Sequence, residues 1–206
     1  MSEVLELSAD PLFPIRLRWH GRGGQGVVTA SRIAAEAALQ AGLYPQSLPD
    51  FGAERSGAPI AAHTRIDHEP PVDRGSITDP TTVIVLDASL LGQVNVAAGL
   101  AADGLVLVNS TVGAEDLAPP MQLRPDRIVA VDASAIGYRL LGRNLPNVPM
   151  LGVLAAIVPF ASLPIMEDAV RTVLSVTLRP KVVDSNILAI NEGYSAVSSR
   201  MVANHG

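Results

Sequence analysis

Gly21, Gly23 and Gly26 stand at G-x-G-x-x-G spacing, directly after the alternating run Ile15-Arg16-Leu17-Arg18-Trp19 and directly before an apolar series at 27, 30, 33, 34, 37, 38 and 41. Alternation favours a strand and the second spacing a helix. A glycine loop between a strand and a helix is chemistry-bearing because glycines let a phosphate approach the backbone. The start of the helix adds N–H groups without partners and a positive dipole end. Arg22 adds a charge, so the candidate cofactor-binding set is Gly21, Arg22, Gly23, Gly24, Gln25 and Gly26. Two specific versions of this motif are incomplete. The Walker form fails because no Gly-Lys-Ser/Thr ends the loop. The dinucleotide form wants an acid about 20 residues on, at the end of a second strand. Asp50 is the one residue so spaced, and it lies in a stretch with Pro45, Pro49, Gly52 and Gly57. A tight turn packing a helix closely onto a sheet accounts for the same glycines, and that reading stays open here.

Other polar residues carry weaker signals. Glu54 and Arg55 sit in the proline- and glycine-bearing stretch 43–57, read as a loop. On their own they make a solvated ion pair, worth about 0–1 kcal/mol. Asp87, Asn109 and Asp132 close three apolar runs and are followed by Ala-Ser, Ser-Thr and Ala-Ser. At the carboxyl edge of an open α/β sheet such residues can face a ligand. The alternative, capping the next turn, is favoured for the two aspartates. His20 reads as a hydrogen-bonded neighbour of the glycine loop, and four scattered histidines make no metal site.

The elements that must position these groups follow from the pattern. Gly42 falls where a helix-ending glycine belongs, after Ala41. Residues 58–67 read as a strand. The runs Val83–Leu86, Leu105–Val108 and Ile128–Val131 are continuously apolar, as strands buried on both faces of a parallel sheet are. Helices are predicted at about 133–142, 150–160, 165–177 and 185–201. The result is an α/β fold over residues 15–206, preceded by an irregular arm, 1–14.

Composition narrows the function. The 206 residues carry 15 Lys+Arg against 20 Asp+Glu, a net charge of −5, which is no footprint for nucleic acid. Cysteine is absent, which excludes disulfides, thiolate zinc sites, iron–sulfur ligation and a cysteine nucleophile on this chain. Charged residues make up 17 %, against about 25 % in ordinary soluble domains, which suggests surface covered by partners. The longest uncharged stretch, Leu145–Met166, is broken by four prolines and is read as a buried helix, not a membrane span. Glu3, Glu6 and Asp10 precede any apolar run, so the expected location is cytoplasmic.

An ordered set of short stretches adds to this. They are His20-Gly21-Arg22-Gly23-Gly24-Gln25-Gly26-Val27-Val28-Thr29-Ala30, Phe51-Gly52-Ala53-Glu54-Arg55-Ser56-Gly57-Ala58-Pro59, Thr64-Arg65-Ile66-Asp67, Val108-Asn109-Ser110, Asn147-Val148-Pro149-Met150-Leu151-Gly152, and Asn186 with Asn191-Glu192-Gly193-Tyr194. In this order they resemble the gamma subunit of the 2-oxoacid:acceptor oxidoreductases. The resemblance implies a three-layer α/β/α sandwich with a mostly parallel, mixed sheet, Rossmann-like in outline. It implies a complex that oxidatively decarboxylates a 2-oxoacid (pyruvate, branched-chain or aromatic, such as phenylglyoxylate) on thiamine diphosphate with Mg. The product is an acyl-CoA in most members, and electrons leave through [4Fe-4S] clusters to ferredoxin or NAD. Alpha, beta and ferredoxin-like delta subunits are the implied partners, with the cofactors on or shared with them and no catalytic residue on this chain. By the same resemblance Asn109 joins the cofactor-binding set, and Glu54, Arg55, Ser56 and Gly57 contact substrate, CoA or a subunit. Family members usually carry a second arginine where this chain has Ser56, which removes a fork suited to carboxylate or phosphate. A free-standing NAD(P)-binding protein and a scaffold subunit without ligand contact are the alternative readings.

Overall fold

A computed structural model describes residues 13–49, 57–73 and 75–203. The expected arm 1–14 therefore lies almost wholly outside the described residues, and so do Asp50, Glu54, Arg55 and Ser56. The elements are β1 (Ile15–Arg22), α1 (Val27–Gln40), β2 (Tyr44–Pro49), β3 (Pro59–Asp67), β4 (Thr82–Val85), β5 (Leu105–Asn109), α2 (Ala114–Met121), β6 (Ile128–Val131), α3 (Ala133–Leu141), α4 (Asn147–Ile157), α5 (Leu163–Leu174) and α6 (Pro180–Ala203). One sheet of order β2-β3-β1-β4-β5-β6 holds all the strands. β1, β4, β5 and β6 are parallel, and β3 pairs antiparallel with both β1 and β2. The mixed, mostly parallel sheet expected from the resemblance is present.

The two sheet faces are covered unequally. On one face Leu17, Trp19, Ile84 and Leu107 pack against α1, α3, α4, α5 and α6. On the other, Val83, Val85, Val106 and Val108 meet α2 and the β4–β5 connection. That connection holds only a single 3₁₀ turn, Ala88–Leu90, and it is fastened by arginine. The Arg18 guanidinium, buried on β1, donates to the carbonyls of Val96 and Ala98, and Arg127 donates to those of Ala101, Ala102 and Gly104. Backbone carbonyls that a helix would have satisfied internally are thereby paired.

Two elements depart from the sequence reading. Residues 44–49, expected as loop, form the edge strand β2 in register with β3, Tyr44 opposite Asp67 and Pro49 opposite Ala62. An edge strand has one side without ladder bonds, so Pro45 and Pro49 are tolerated there. α2 has no helix range of its own in the sequence reading: Pro119 and Pro120 fill its last turn, and Gln122 ends it in a left-handed conformation. The end of α1 is as expected. Gly42 (φ +80°) donates to Leu39 O and Leu43 N–H donates to Ala38 O, the paired bonds of a Schellman cap.

α4 is buried almost all round and packs most closely on α6. The two helices meet through glycines. A Cβ on Gly152 would stand 2.0 Å from Ile190 O, and one on Gly193 would stand 2.0 Å from Pro149 O. The stretches ending in Gly152 and containing Gly193 are thus two halves of one crossing.

Candidate functional site

The glycine loop leaves the carboxyl end of β1 and starts α1. It continues the β1–β3 ladder: Gly23 N–H donates to Ala58 O at 3.0 Å, and Gly57 N–H donates to Gly23 O at 3.3 Å. Gly57, from the second predicted set, is therefore held against the first. Each glycine has its own reason. A Cβ on Gly21 would lie 2.6 Å from Val27 Cγ2 and 3.3 Å from Leu86 Cβ, so close helix–sheet packing requires it. Gly24 (φ +94°) and Gly26 (φ +77°) occupy left-handed turns that other residues rarely adopt. Gly26 is the N-cap of α1 and its carbonyl accepts from Ala30 N–H at 2.9 Å. No side chain caps the amides of that first turn. Close packing thus accounts for Gly21, and left-handed turns account for Gly24 and Gly26.

The loop's side chains are turned inward. Arg22 Nη2 donates to Ser89 Oγ at 2.8 Å, Nη1 donates to Gly57 O at 3.1 Å, and Nε lies 3.2 Å from Asp87 Oδ2. Gln25 Oε1 accepts from Arg22 N–H at 2.7 Å, and its Nε2 donates to Asp87 Oδ2 at 2.9 Å. Arg22 and Gln25 tie the loop to the end of β4. The backbone amides of the loop and of α1 remain available for contact with a cofactor.

Asp87 also accepts from Ser89 N–H and caps the 3₁₀ turn, and Asp132 caps α3 through Ala135 N–H, as expected of both. Burial raises the Asp87 carboxyl, but hydrogen bonds from Ser89 and Gln25 and the charge of Arg22 outweigh it, so the group titrates below the ordinary aspartate value. A depressed folded value means that this carboxylate stabilises the fold above the unfolded aspartate pKa, and that the contribution is lost as pH falls through the folded one. Asp87→Asn should be less stable than the native chain at pH 7 in denaturant melts, and the gap should close under acid conditions. A gap independent of pH would show that the charge is not involved.

Asn109, expected in the cofactor set, is spent on the protein. Its Nδ2 donates to Leu86 O at 2.8 Å and to Ser134 Oγ at 2.9 Å, and its Oδ1 accepts from Ser134 N–H at 3.0 Å. It stitches the ends of β4 and β5 to the start of α3 beside a small polar cleft of about 250 Å³ lined by Gln25, Asp87, Ser110 and Asp132. His20 is buried on the sheet face opposite Trp19.

A larger cleft, about 610 Å³, is lined by Gly24, Gly26, Thr29, Arg32, Glu36, Arg143 and Asn147 together with Val148, Val173, Leu178 and Val182. Asn147, the first residue of α4, was singled out in the sequence only as part of a motif. In the structure its amide lies over Gly26, where a Cβ would stand 2.4 Å from Nδ2. The clue was a polar residue heading an otherwise apolar helix.

This edge of the sheet can bind an anion through backbone amides and flanking cations. Among the described residues of this edge, Asp87 and Asp132 are both engaged in capping. With no cysteine in the chain, and no group of three or more metal-ligating side chains among the described residues, iron–sulfur clusters do not fit here. No helix among the described residues is long and apolar enough to cross a membrane.

The chain is 41 % identical over 180 residues to the pyruvate/ketoisovalerate oxidoreductases common subunit gamma of Pyrococcus furiosus, covering 87 % of this chain and 95 % of that one. The crystal structure of pyruvate oxidoreductase subunit PORC from Thermotoga maritima superposes with a TM-score of 0.77 at 35 % identity, covering 89 % and 96 % of the two chains. The keto/oxoacid ferredoxin oxidoreductase gamma subunit of Geobacter sulfurreducens shares the fold at 22 % identity, with a TM-score of 0.72 and coverage of 91 % and 98 %. The pyruvate ferredoxin/flavodoxin oxidoreductase profile matches residues 16–196, nearly the whole described chain, and the protein therefore belongs to that family, as a gamma subunit.

Proposed function

We propose that this chain is the gamma subunit of a cytoplasmic, thiamine diphosphate-dependent 2-oxoacid oxidoreductase that converts a 2-oxoacid to its acyl-CoA and passes electrons through iron–sulfur clusters to ferredoxin or NAD. The observation that supports this reading is the match to the family's gamma subunits over nearly the whole chain, together with a glycine loop that starts α1 without a side-chain cap. Such a chain contributes binding rather than bond-making. Thiamine diphosphate, when bound on companion subunits, supplies the decarboxylation chemistry. This chain's amides at Gly24–Thr29, with Arg32 and Arg143, hold a phosphate-bearing reactant at the edge of the reaction chamber, and coenzyme A is the reactant best suited to the cleft. Glu54, Arg55, Ser56 and Gly57, the last of which is hydrogen-bonded to Gly23 of the loop, contact substrate or a neighbouring subunit in this reading.

The free-standing dinucleotide reading loses its support in the topology. A Rossmann unit pairs its second strand parallel to the first, with the ribose-binding acid at that strand's end. Here the antiparallel β3 lies between β1 and β2. The proposal is tested by expressing the chain alone and with its companion subunits. Expected are no turnover and no NAD(H) binding by the isolated chain at millimolar ligand, and 2-oxoacid-dependent, CoA-dependent acceptor reduction by the assembled complex. Turnover by the isolated chain would sink the proposal. Arg55→Ala in the complex separates ligand contact from scaffolding: unchanged kcat and Michaelis constants would support a scaffold.

A further inference from the structure

The turn between α5 and α6 exposes apolar side chains in a cluster. Val176, Leu178 and Val182 are 82 %, 38 % and 43 % exposed. They are three of the nine large apolar side chains that stand exposed among the described residues, and they fall within seven positions. All three line one cleft, together with the half-buried Val173. Apolar side chains exposed singly are ordinary on a protein surface, but a cluster that converges on one concavity marks a contact surface. The turn holds its shape unaided. Thr177 N–H and Leu178 N–H both donate to Leu174 O, at 3.1 and 2.9 Å, and Val182 N–H and Val183 N–H donate to Arg179 O. Its side chains are therefore set in place before a partner arrives, which lowers the ordering cost of docking.

Charge says what the partner carries. Arg179 and Lys181 stand exposed in the same turn, and neither side chain has an ion-pair or hydrogen-bond partner among the described residues. The acids nearby are already engaged: Asp168 and Asp184 lie 3.9 and 3.7 Å from the Arg171 guanidinium, and Glu36 accepts from Gln40. A chain of net charge −5 thus sets two unanswered cations beside an apolar patch. A two-fold pairing of this turn with a second copy would bring those cations against their like. We propose that the α5–α6 turn is a docking surface for a companion subunit of the oxidoreductase complex, which seats an apolar side chain among Val176, Leu178 and Val182 and sets carboxylates on Arg179 and Lys181. The inference rests on membership of a family of multisubunit enzymes. It stands whether or not the glycine loop holds coenzyme A.

Lys181 is the only lysine in the chain, so a carbodiimide cross-link, which joins an amine directly to a carboxylate in contact with it, reads out this surface alone among the side chains. In the assembled native complex, peptide mapping should place a Lys181 link on an aspartate or glutamate of a companion subunit. No link at Lys181, or a link to a second copy of this chain, overturns the proposal. A second measurement is competitive. Native chain and variant are co-expressed at equal levels with the companion subunits, and intact-subunit masses give their ratio in the purified complex. Val176→Asp and the double variant Arg179→Glu/Lys181→Glu should each be incorporated at about one tenth of the native level or less. The deficit of the charge variant should shrink with added salt. Because the substituted positions are exposed, the unfolding midpoint of each isolated variant should stay within about 2 °C of native. Incorporation within about twofold of native by either variant overturns the proposal and leaves the coenzyme A reading intact. Where a variant fails to fold by itself, the cross-link on the native complex decides.

Discussion

Alanine at Gly193 should lower the thermal unfolding midpoint by about 6–12 °C, because its methyl group must enter space held by the backbone of α4. The added Cβ would lie 2.0 Å from Pro149 O and 2.7 Å from Pro149 C. Backbone atoms in a buried helix do not rotate aside as a side-chain end would, so α4 and α6 must separate. Overpacking of this kind costs about 1–3 kcal/mol and sometimes more. The helix-propensity gain of alanine over glycine, about 1 kcal/mol, offsets only part of a severe clash. For chains of this length about 3 kcal/mol corresponds to the stated shift. Gly152→Ala should behave alike, since its Cβ would lie 2.0 Å from Ile190 O and 2.6 Å from Tyr194 N. The two losses should not add, because both relieve themselves by the same separation. A midpoint within about 2 °C of native for both variants would show that the crossing is softer than its geometry implies.

At Gly26 the expected loss is in ligand binding as well as stability. Alanine in a left-handed turn costs about 1–2 kcal/mol, and here its Cβ would also stand 2.4 Å from Asn147 Nδ2. Either the turn relaxes toward ordinary helix geometry, which re-aims the first amides of α1, or Asn147 swings away. Both routes disturb the glycine-loop end of the cleft. In the assembled complex Gly26→Ala should raise the KM for coenzyme A more than tenfold while the 2-oxoacid KM changes little. The double variant Gly26→Ala/Asn147→Ala should be no worse than the product of one loss, because removing the asparagine removes the clash. Strictly additive effects would show that the two residues act separately.

What the sequence made legible is what local patterning encodes. The three continuously apolar runs are β4, β5 and β6, and Asp87 and Asp132 are the caps their positions suggested. The periodic series after the glycine loop is α1, and it ends at Gly42 as read. What was hidden depends on neighbours distant in the chain. β2 looks like a loop because proline propensity says nothing about which side of a strand is unpaired. α4 begins three residues earlier than its apolar run, because Asn147 belongs to the helix through its contact with Gly26, 121 residues away. Gly152 suggested close approach, but its counterpart Gly193 could be named only from the crossing itself. Arg22 looked like a ligand group because its type suits anions; only the fold brings Asp87, Ser89 and Gly57 to within its reach.

The proline-bearing rim strand bears on how a lone gamma chain survives before it meets its companions. Pro45 and Pro49 lack the amide hydrogens that a foreign strand would need to dock there. Stacking of sheets between unassembled copies is discouraged on that side. Association through that rim is thereby disfavoured.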